Sequence, residues 1–145
     1  MNALLRVRVA IIGVAMGVVA AAASSIFDRW VWSLGLAVVV PTVVAMAIRA
    51  MPLIVRVAGA LVAVMASVGL IVFVEGGQTG DAVDALVSGV QRLLTSEWPS
   101  PDRPDVIGAV GAFIAAASAT AATVAGQRRW HLLAWVPVLA AFVTS

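Results

Sequence analysis

Four uncharged apolar runs, each about as long as a membrane-spanning helix, occupy most of this chain. They cover residues 9–27, 30–48, 57–74 and 106–127. A helix rises about 1.5 Å per residue, so about 20 apolar residues cross the hydrocarbon core of a bilayer. Of the 145 residues, 63% are hydrophobic and 11% are charged, whereas soluble domains carry about 25% charged residues. The sequence therefore predicts an integral membrane protein.

We expect an all-α polytopic bundle of four full spans and a fifth, truncated one, forming a single membrane domain over residues 1–145. The expected spans are 9–27, 30–48, 53–74, 106–127 and 132–145. Pro52 suits the first turn of the third helix, and Arg56 is expected to extend back toward the headgroups, with a charge on an ion path as the alternative. The run 132–145 has 14 residues and is too short to cross. Either the chain is cut inside a fifth helix, or this helix begins within the basic turn 128–131.

The arginines predict the orientation, because positively charged loops stay on the cytoplasmic side. Six of the nine lie at the N-terminus and in the second and fourth connections, which share one side: Arg6, Arg8, Arg49, Arg56, Arg128 and Arg129. The first run, at 19 residues, is longer than a signal-peptide core of about 7–15 and is read as a retained helix. We expect a plasma-membrane protein with a cytoplasmic N-terminus, which places all seven acidic residues outside: Asp28, Glu75, Asp81, Asp84, Glu97, Asp102 and Asp105.

The longest polar interval, residues 75–105, contains an amphipathic pattern over about 81–96. Apolar residues recur at helical spacing, and Asp81 is the expected N-cap. The helix is too short and too polar to span, so we expect it along the outer membrane surface, apolar side down. The predicted interface residues are these apolar positions, the following tryptophan and two small residues of the fourth span: Val83, Leu86, Val87, Val90, Leu93, Leu94, Trp98, Gly108 and Ala112. Replacing Leu86, Val90 and Leu93 with Asp is expected to detach this helix without unfolding the bundle.

Two interpretations of this interval stay open. It is either a linker that rests its apolar face on the bundle or the lipid, or a docking surface for an extracytoplasmic domain or partner.

Small residues that permit close helix approach recur at Gly13 and Gly17, at Gly59 and Ala63, and along the fourth span. That last stripe, Gly108, Ala112, Ala116 and Thr120, is expected to form an intramolecular contact. A homo-oligomer is possible but not indicated.

Residues that carry chemistry are scarce. The chain has no cysteine and one histidine, His131, which has no carboxylate near it in sequence. Paired carboxylates such as Asp81 with Asp84 offer fewer oxygens than a Ca²⁺ or Mg²⁺ site recruits, so neither metal nor cofactor is expected. The net charge of +2 and the placement of arginines at helix ends argue against nucleic acid. Few polar groups lie in the apolar runs, so a stand-alone transporter is not expected.

The segment GVQRLLTSEWPSPDRPDVIG, residues 89–108, resembles a loop in the membrane-embedded N-terminal region of bacterial TgpA-type transglutaminase-like proteins. The resemblance implies a membrane anchor for an extracytoplasmic transglutaminase-like domain with catalytic Cys, His and Asp. None of these residues carries over, since the chain has no cysteine and ends before such a domain would begin. We expect a non-enzymatic anchor or scaffold with the lipid bilayer and an extracytoplasmic domain or protein as partners. The alternative is a small accessory subunit of an envelope or transport complex.

Overall fold

The computed structural model describes residues 3–27, 29–95, 102–125 and 136, and every regular element among them is helical. The predicted all-α fold class is therefore confirmed for this part of the chain. The predicted span 132–145, apart from Val136, and the residues Trp98, Arg128, Arg129 and His131 lie outside the described residues. The elements are α1 (Ala3–Ser24), a 3-10 turn (Trp32–Gly35), α2 (Leu36–Ala47), α3 (Leu53–Val74), α4 (Thr79–Val87), α5 (Gly89–Thr95) and α6 (Pro104–Ala125).

Helix α6 is the centre of the bundle and packs against each of the other five helices. Its composition allows this, because Gly and Ala let neighbouring backbones approach closely. A Cβ placed at Gly108 would lie 2.8 Å from Val72 Cγ2 of α3 and 3.0 Å from Ala85 Cβ of α4. The main core gathers residues of α1, α2, α3 and α6 and includes Met16, Leu34, Ile71 and Ile107.

Helices α3 and α6 run antiparallel. Near the start of α3, the Arg56 guanidinium donates a hydrogen bond to the backbone oxygen of Thr123, 3.0 Å away in the last turn of α6. At the other end, Val72 packs at Gly108. The last carbonyls of a helix lack intrahelical partners, and a cation there also complements the helix dipole. Arg56 therefore joins the start of one long helix to the end of the other.

Helix α3 carries a wide exposed apolar face. Only 28% of its most apolar window is buried, against 67% for α6. Soluble monomers rarely expose large contiguous apolar patches. The exposed residues of this face include Ile54, Leu61, Val62, Met65 and Phe73. Among the described residues, α3 and α6 are long and apolar enough to cross a membrane.

In the first two apolar runs the helices end earlier or begin later than the sequence predicts. Helix α1 ends at Ser24, and residues 25–27 form a tight turn in which each backbone N–H donates to the carbonyl three residues earlier. The second run begins with the 3-10 turn and becomes α-helical only at Leu36. The apolar stretches Val9–Ser24 and Trp32–Ala47 are each shorter than a full span. The tight turn places the buried side chains of Ile26 and Phe27 in the main core.

Candidate interaction surface at the polar end

Three chain segments meet at one end of the bundle, here called the polar end, which comprises Arg29, 75–78 and 102–105. Arg29 lies between α1 and α2, and its guanidinium bonds the carboxylate of Glu75 at the end of α3. The same guanidinium donates through Nε to Asp102 Oδ2, 2.8 Å away, just before α6. The Ser33 hydroxyl also donates to Glu75. One arginine thus ties together the connections that lead into α2, out of α3 and into α6.

The Glu75 carboxylate depends on these partners. Its side chain is only 4% exposed, and it sits at the C-cap of α3, where the helix dipole disfavours negative charge. A buried carboxylate is costly unless it is paired and hydrogen-bonded. The hydrogen bond with Glu75, and then the charges of Glu75 and Asp102, raise the pKa of Arg29 above its usual value against partial desolvation. The arginine therefore stays charged at any physiological pH.

A second arginine fastens α5 to α6. Arg92 bonds the carboxylate of Asp105, whose side chain is 3% exposed in the first turn of α6. Arg92 also lies 3.4 Å from Asp84 Oδ2 of α4, and Arg103 Nε lies 3.3 Å from Asp105 Oδ1. The hydrogen bond with Asp105 raises the pKa of Arg92. Asp105 also complements the positive end of the α6 dipole.

The amphipathic segment begins earlier than the sequence predicts. The N-cap of α4 is Gln78 rather than Asp81, so that prediction was wrong. Asp81 is the third residue of the helix, and its Oδ2 accepts a hydrogen bond from the backbone N–H of Gln78 at 2.7 Å. This is the reverse bond of a capping box, which satisfies an N–H that the helix leaves open. The carboxylate stabilises the helix start from inside the first turn.

The segment forms two helices rather than the single helix predicted over about 81–96, whose last residue lies outside the described part. Ser88 separates α4 from α5 with φ −122° and ψ −10°. Immediately after it, Gly89 lies against α6 so closely that a Cβ there would be 2.7 Å from Ala109 Cβ. The break lets both short helices follow the surface of α6.

The face of this segment that meets the bundle consists of small residues. Ala85 is 1% exposed and forms a cluster with Val68 and Val72 of α3, against which Ala82 and Ala112 pack. Most of the large apolar residues of the predicted interface point the other way. Their exposures are 60% for Val83, 38% for Leu86, 79% for Val87 and 80% for Leu94.

The remaining predicted interface residues are divided. Gly108 is buried against α3 and α4, and Ala112 is partly buried beside it, so this part of the small-residue stripe makes an intramolecular contact. Ala116 and Thr120 of the same stripe are exposed. Val90 is partly buried, and Leu93 packs against the main core. The triple substitution at Leu86, Val90 and Leu93 therefore reaches into the bundle, and the packing of Leu93 predicts that it destabilises the bundle.

Sequence reasoning missed the residues that hold the segment in place. Ala82, Ala85 and Gly89 recur at spacings of three and four, a small-residue signal that does exist in the sequence. The pairs formed by Arg29 and Arg92 have no periodic signal. Within the described residues, no group of three or more His, Cys, Asp or Glu side chains is placed to hold a metal ion. Arg29 and Arg92 thus neutralise the buried carboxylates of Glu75 and Asp105, and these pairs hold the ends of the segment 75–95 on the bundle.

Comparison of the chain with protein-family models, curated proteins and solved structures gives no match. The fold and the polar end therefore define a structural class of protein, and the comparisons add no family to it. It is a small all-helical protein in which an amphipathic segment packs beside two helices of membrane-spanning length and is held to the second of them by an arginine–carboxylate pair.

Proposed function

We propose that this chain is a multi-pass membrane anchor that presents the segment 75–105 on the extracytoplasmic side, where it positions a domain or partner protein. One observation carries the proposal. Arg29 joins the connections that lead into α2, out of α3 and into α6, Arg92 joins α5 to α6, and the carboxylates of Glu75 and Asp105 that accept from them are buried. Such pairing fixes a surface in one arrangement, which a scaffold requires and a flexible linker does not.

Charge supports the orientation in this proposal. The polar end holds carboxylates and their partner arginines, whereas the opposite end carries Arg49 in the turn before α3 and Arg56 at its start. Under the positive-inside rule the Arg49 end is cytoplasmic. The N-terminal and 128–131 arginines belong to the same side in the four-span topology. We therefore propose a plasma-membrane location with a cytoplasmic N-terminus.

The resemblance of residues 89–108 to transglutaminase-like membrane regions supplies the most specific form of the anchor. In that form the cargo is an extracytoplasmic transglutaminase-like domain of the same polypeptide, and this region performs no chemistry itself. In the alternative form, an accessory subunit, the cargo is a separate protein of an envelope or transport complex. The alternative draws on the same fixed surface and differs only in how the cargo is attached.

Immunoblotting of native membranes with an antibody against the 75–105 segment separates the two forms. A polypeptide larger than the 145-residue chain by the size of a folded domain supports the covalent anchor. The accessory subunit is supported by two results together. The polypeptide has the size of this chain, and a Gln91→Cys variant is cross-linked through position 91 to a second protein. A polypeptide of that size without any cross-linked protein would overturn both forms of the scaffold.

A further inference from the structure

Helix α4 lies beside the ends of α3 and α6 rather than over them. Ala85 of α4 packs at Gly108, four residues into α6, and in one cluster with Val72 of α3. At the α-helical rise, Gly108 is about 6 Å along the axis from the start of α6. Ala112, which packs against the same cluster, is about 12 Å along. The inner face of α4 is therefore level with the last turn of α3 and the first turns of α6, the two helices of membrane-spanning length.

The outer face of α4 is apolar at that level. Val83 and Val87 lie two residues to either side of Ala85, which places each about 160° around the helix from it. They are 60% and 79% exposed. Phe73 of α3 follows Val72 in the sequence and is 77% exposed at the same level. The exposed apolar face of α3 thus continues up to the level at which α4 packs.

The basic groups of the segment lie toward the start of α6, and Asp84 of α4, whose side chain is 51% exposed, lies 3.4 Å from Arg92. Arg92 bonds Asp105 in the first turn, and Arg103 approaches the same carboxylate. Arg92 is 40% exposed and Arg103 is 58% exposed. Long basic side chains at a membrane surface extend their charged ends to the headgroups while their apolar parts stay below. The basic side chains thus lie at the level where α6 begins, and the one charged group between the two valines, Asp84, is paired with Arg92.

We propose that α4 is inserted into the extracytoplasmic leaflet and that lipid acyl chains cover Val83 and Val87. This inference rests on the proposed membrane location and adds the occupant of the exposed face. Helix α4 then widens the bundle within the leaflet, and the polar edge with Gln91, Arg92 and Arg103 is left for the scaffolded domain or partner. A protein covering the valines is the competing occupant, and the following experiment distinguishes it.

The chain has no cysteine, so single-cysteine variants can carry a nitroxide without background labelling. Val83→Cys and Val87→Cys, each reconstituted in phosphatidylcholine–phosphatidylglycerol vesicles, are compared by electron paramagnetic resonance power saturation with oxygen and with a water-soluble nickel complex. Val62→Cys on the exposed face of α3 and Phe73→Cys at its end serve as lipid references, and Gln91→Cys on α5 as the water reference. We expect several-fold higher oxygen-to-nickel accessibility at 83 and 87 than at 91, and a depth matching that at 73.

Each other outcome overturns the inference in a different way. Nickel accessibility at 83 and 87 as high as at 91 places the valines in water. A depth clearly shallower than at 73 places α4 over the bundle end. Low accessibility to both reagents means that protein covers the face. If Val62→Cys is also open to nickel, the proposed membrane location fails together with the inference, whereas a lipid-exposed 62 confines the failure to α4.

Discussion

Arg29 and Glu75 are 46 residues apart in the sequence, yet they form an ion pair whose carboxylate is 4% exposed. The pair joins the region between α1 and α2 to the end of α3, and the same guanidinium adds Asp102 at the entrance to α6. A helix bundle in a membrane gains little hydrophobic attraction between its helices, so specific polar and packing contacts decide its arrangement. Arg29 is the contact on which the polar end depends.

Replacing Arg29 with Ala should lower the free energy of unfolding by about 1–3 kcal/mol, because Glu75 is left buried without its cationic partner. The measurement is unfolding in mixed micelles followed by tryptophan fluorescence. Arg49→Ala is the matched control, since Arg49 is exposed in the turn before α3, and it should change stability by less than about 0.5 kcal/mol. Equal losses in both variants would show that removal of positive charge, and not the loss of the pair, is responsible.

Gly108→Leu should destabilise the bundle by about 1–3 kcal/mol, because the added side chain meets Val72 and Ala85. Gly17→Leu is the control, since a Cβ at Gly17 has nothing within 4 Å. The same unfolding assay compares the two. If Gly17→Leu were as harmful as Gly108→Leu, the first helix would have a close partner, such as a second copy, on its exposed side.

Leu93→Asp should cost at least about 2 kcal/mol, because it places a carboxylate where Leu93 packs against the main core. Gln91→Asp, on the exposed side of the same helix, should stay within about 0.5 kcal/mol of the parent. The readout is again the unfolding free energy, with elution volume as a check on folding. A harmless Leu93→Asp would mean that α5 lies away from the core.

Arg56→Ala should lower stability by about 1 kcal/mol through loss of the hydrogen bond to the Thr123 carbonyl. Arg56→Lys keeps the charge near the end of α6 and should retain part of this stability, because a cation there still interacts with the helix dipole. Hydrogen exchange at the end of α6 gives a local readout and should accelerate in Arg56→Ala. Unchanged exchange in that variant would remove the role of Arg56 in holding the end of α6.

The long helices were predictable because apolar length and flanking residues define them. The helix expected over 53–74 is observed at Leu53–Val74, and the one expected over 106–127 at Pro104–Ala125. Charged and proline-containing connections leave such runs little freedom in where they begin. The first two runs were less predictable, since the tight turn after Ser24 and the 3-10 turn before Leu36 arise from tertiary packing of Ile26, Phe27 and Leu34.

The arrangement of α4 and α5 could not be derived from hydrophobic periodicity. Hydrophobic periodicity predicts that the large apolar residues form the buried face. The face that meets the bundle instead consists of Ala82, Ala85 and Gly89, whose small size lets the helix backbones approach each other closely. The break at Ser88 coincides with the close approach of Gly89 to α6, and the Ser-Gly dipeptide is a turn signal that hydrophobic periodicity does not register. The pair of Arg29 with Glu75 joins positions whose proximity only the fold creates.

The location of the segment 75–105 on the extracytoplasmic side is the central claim, and cysteine labelling tests it most directly. Gln91→Cys and Ala50→Cys, both at exposed positions at opposite ends of the bundle, are treated with a membrane-impermeant maleimide in right-side-out membrane vesicles. We predict labelling at position 91 in intact vesicles and at position 50 only after permeabilisation. Labelling at 50 but not at 91 in intact vesicles would reverse the orientation, and equal labelling at both would contradict a membrane-spanning bundle.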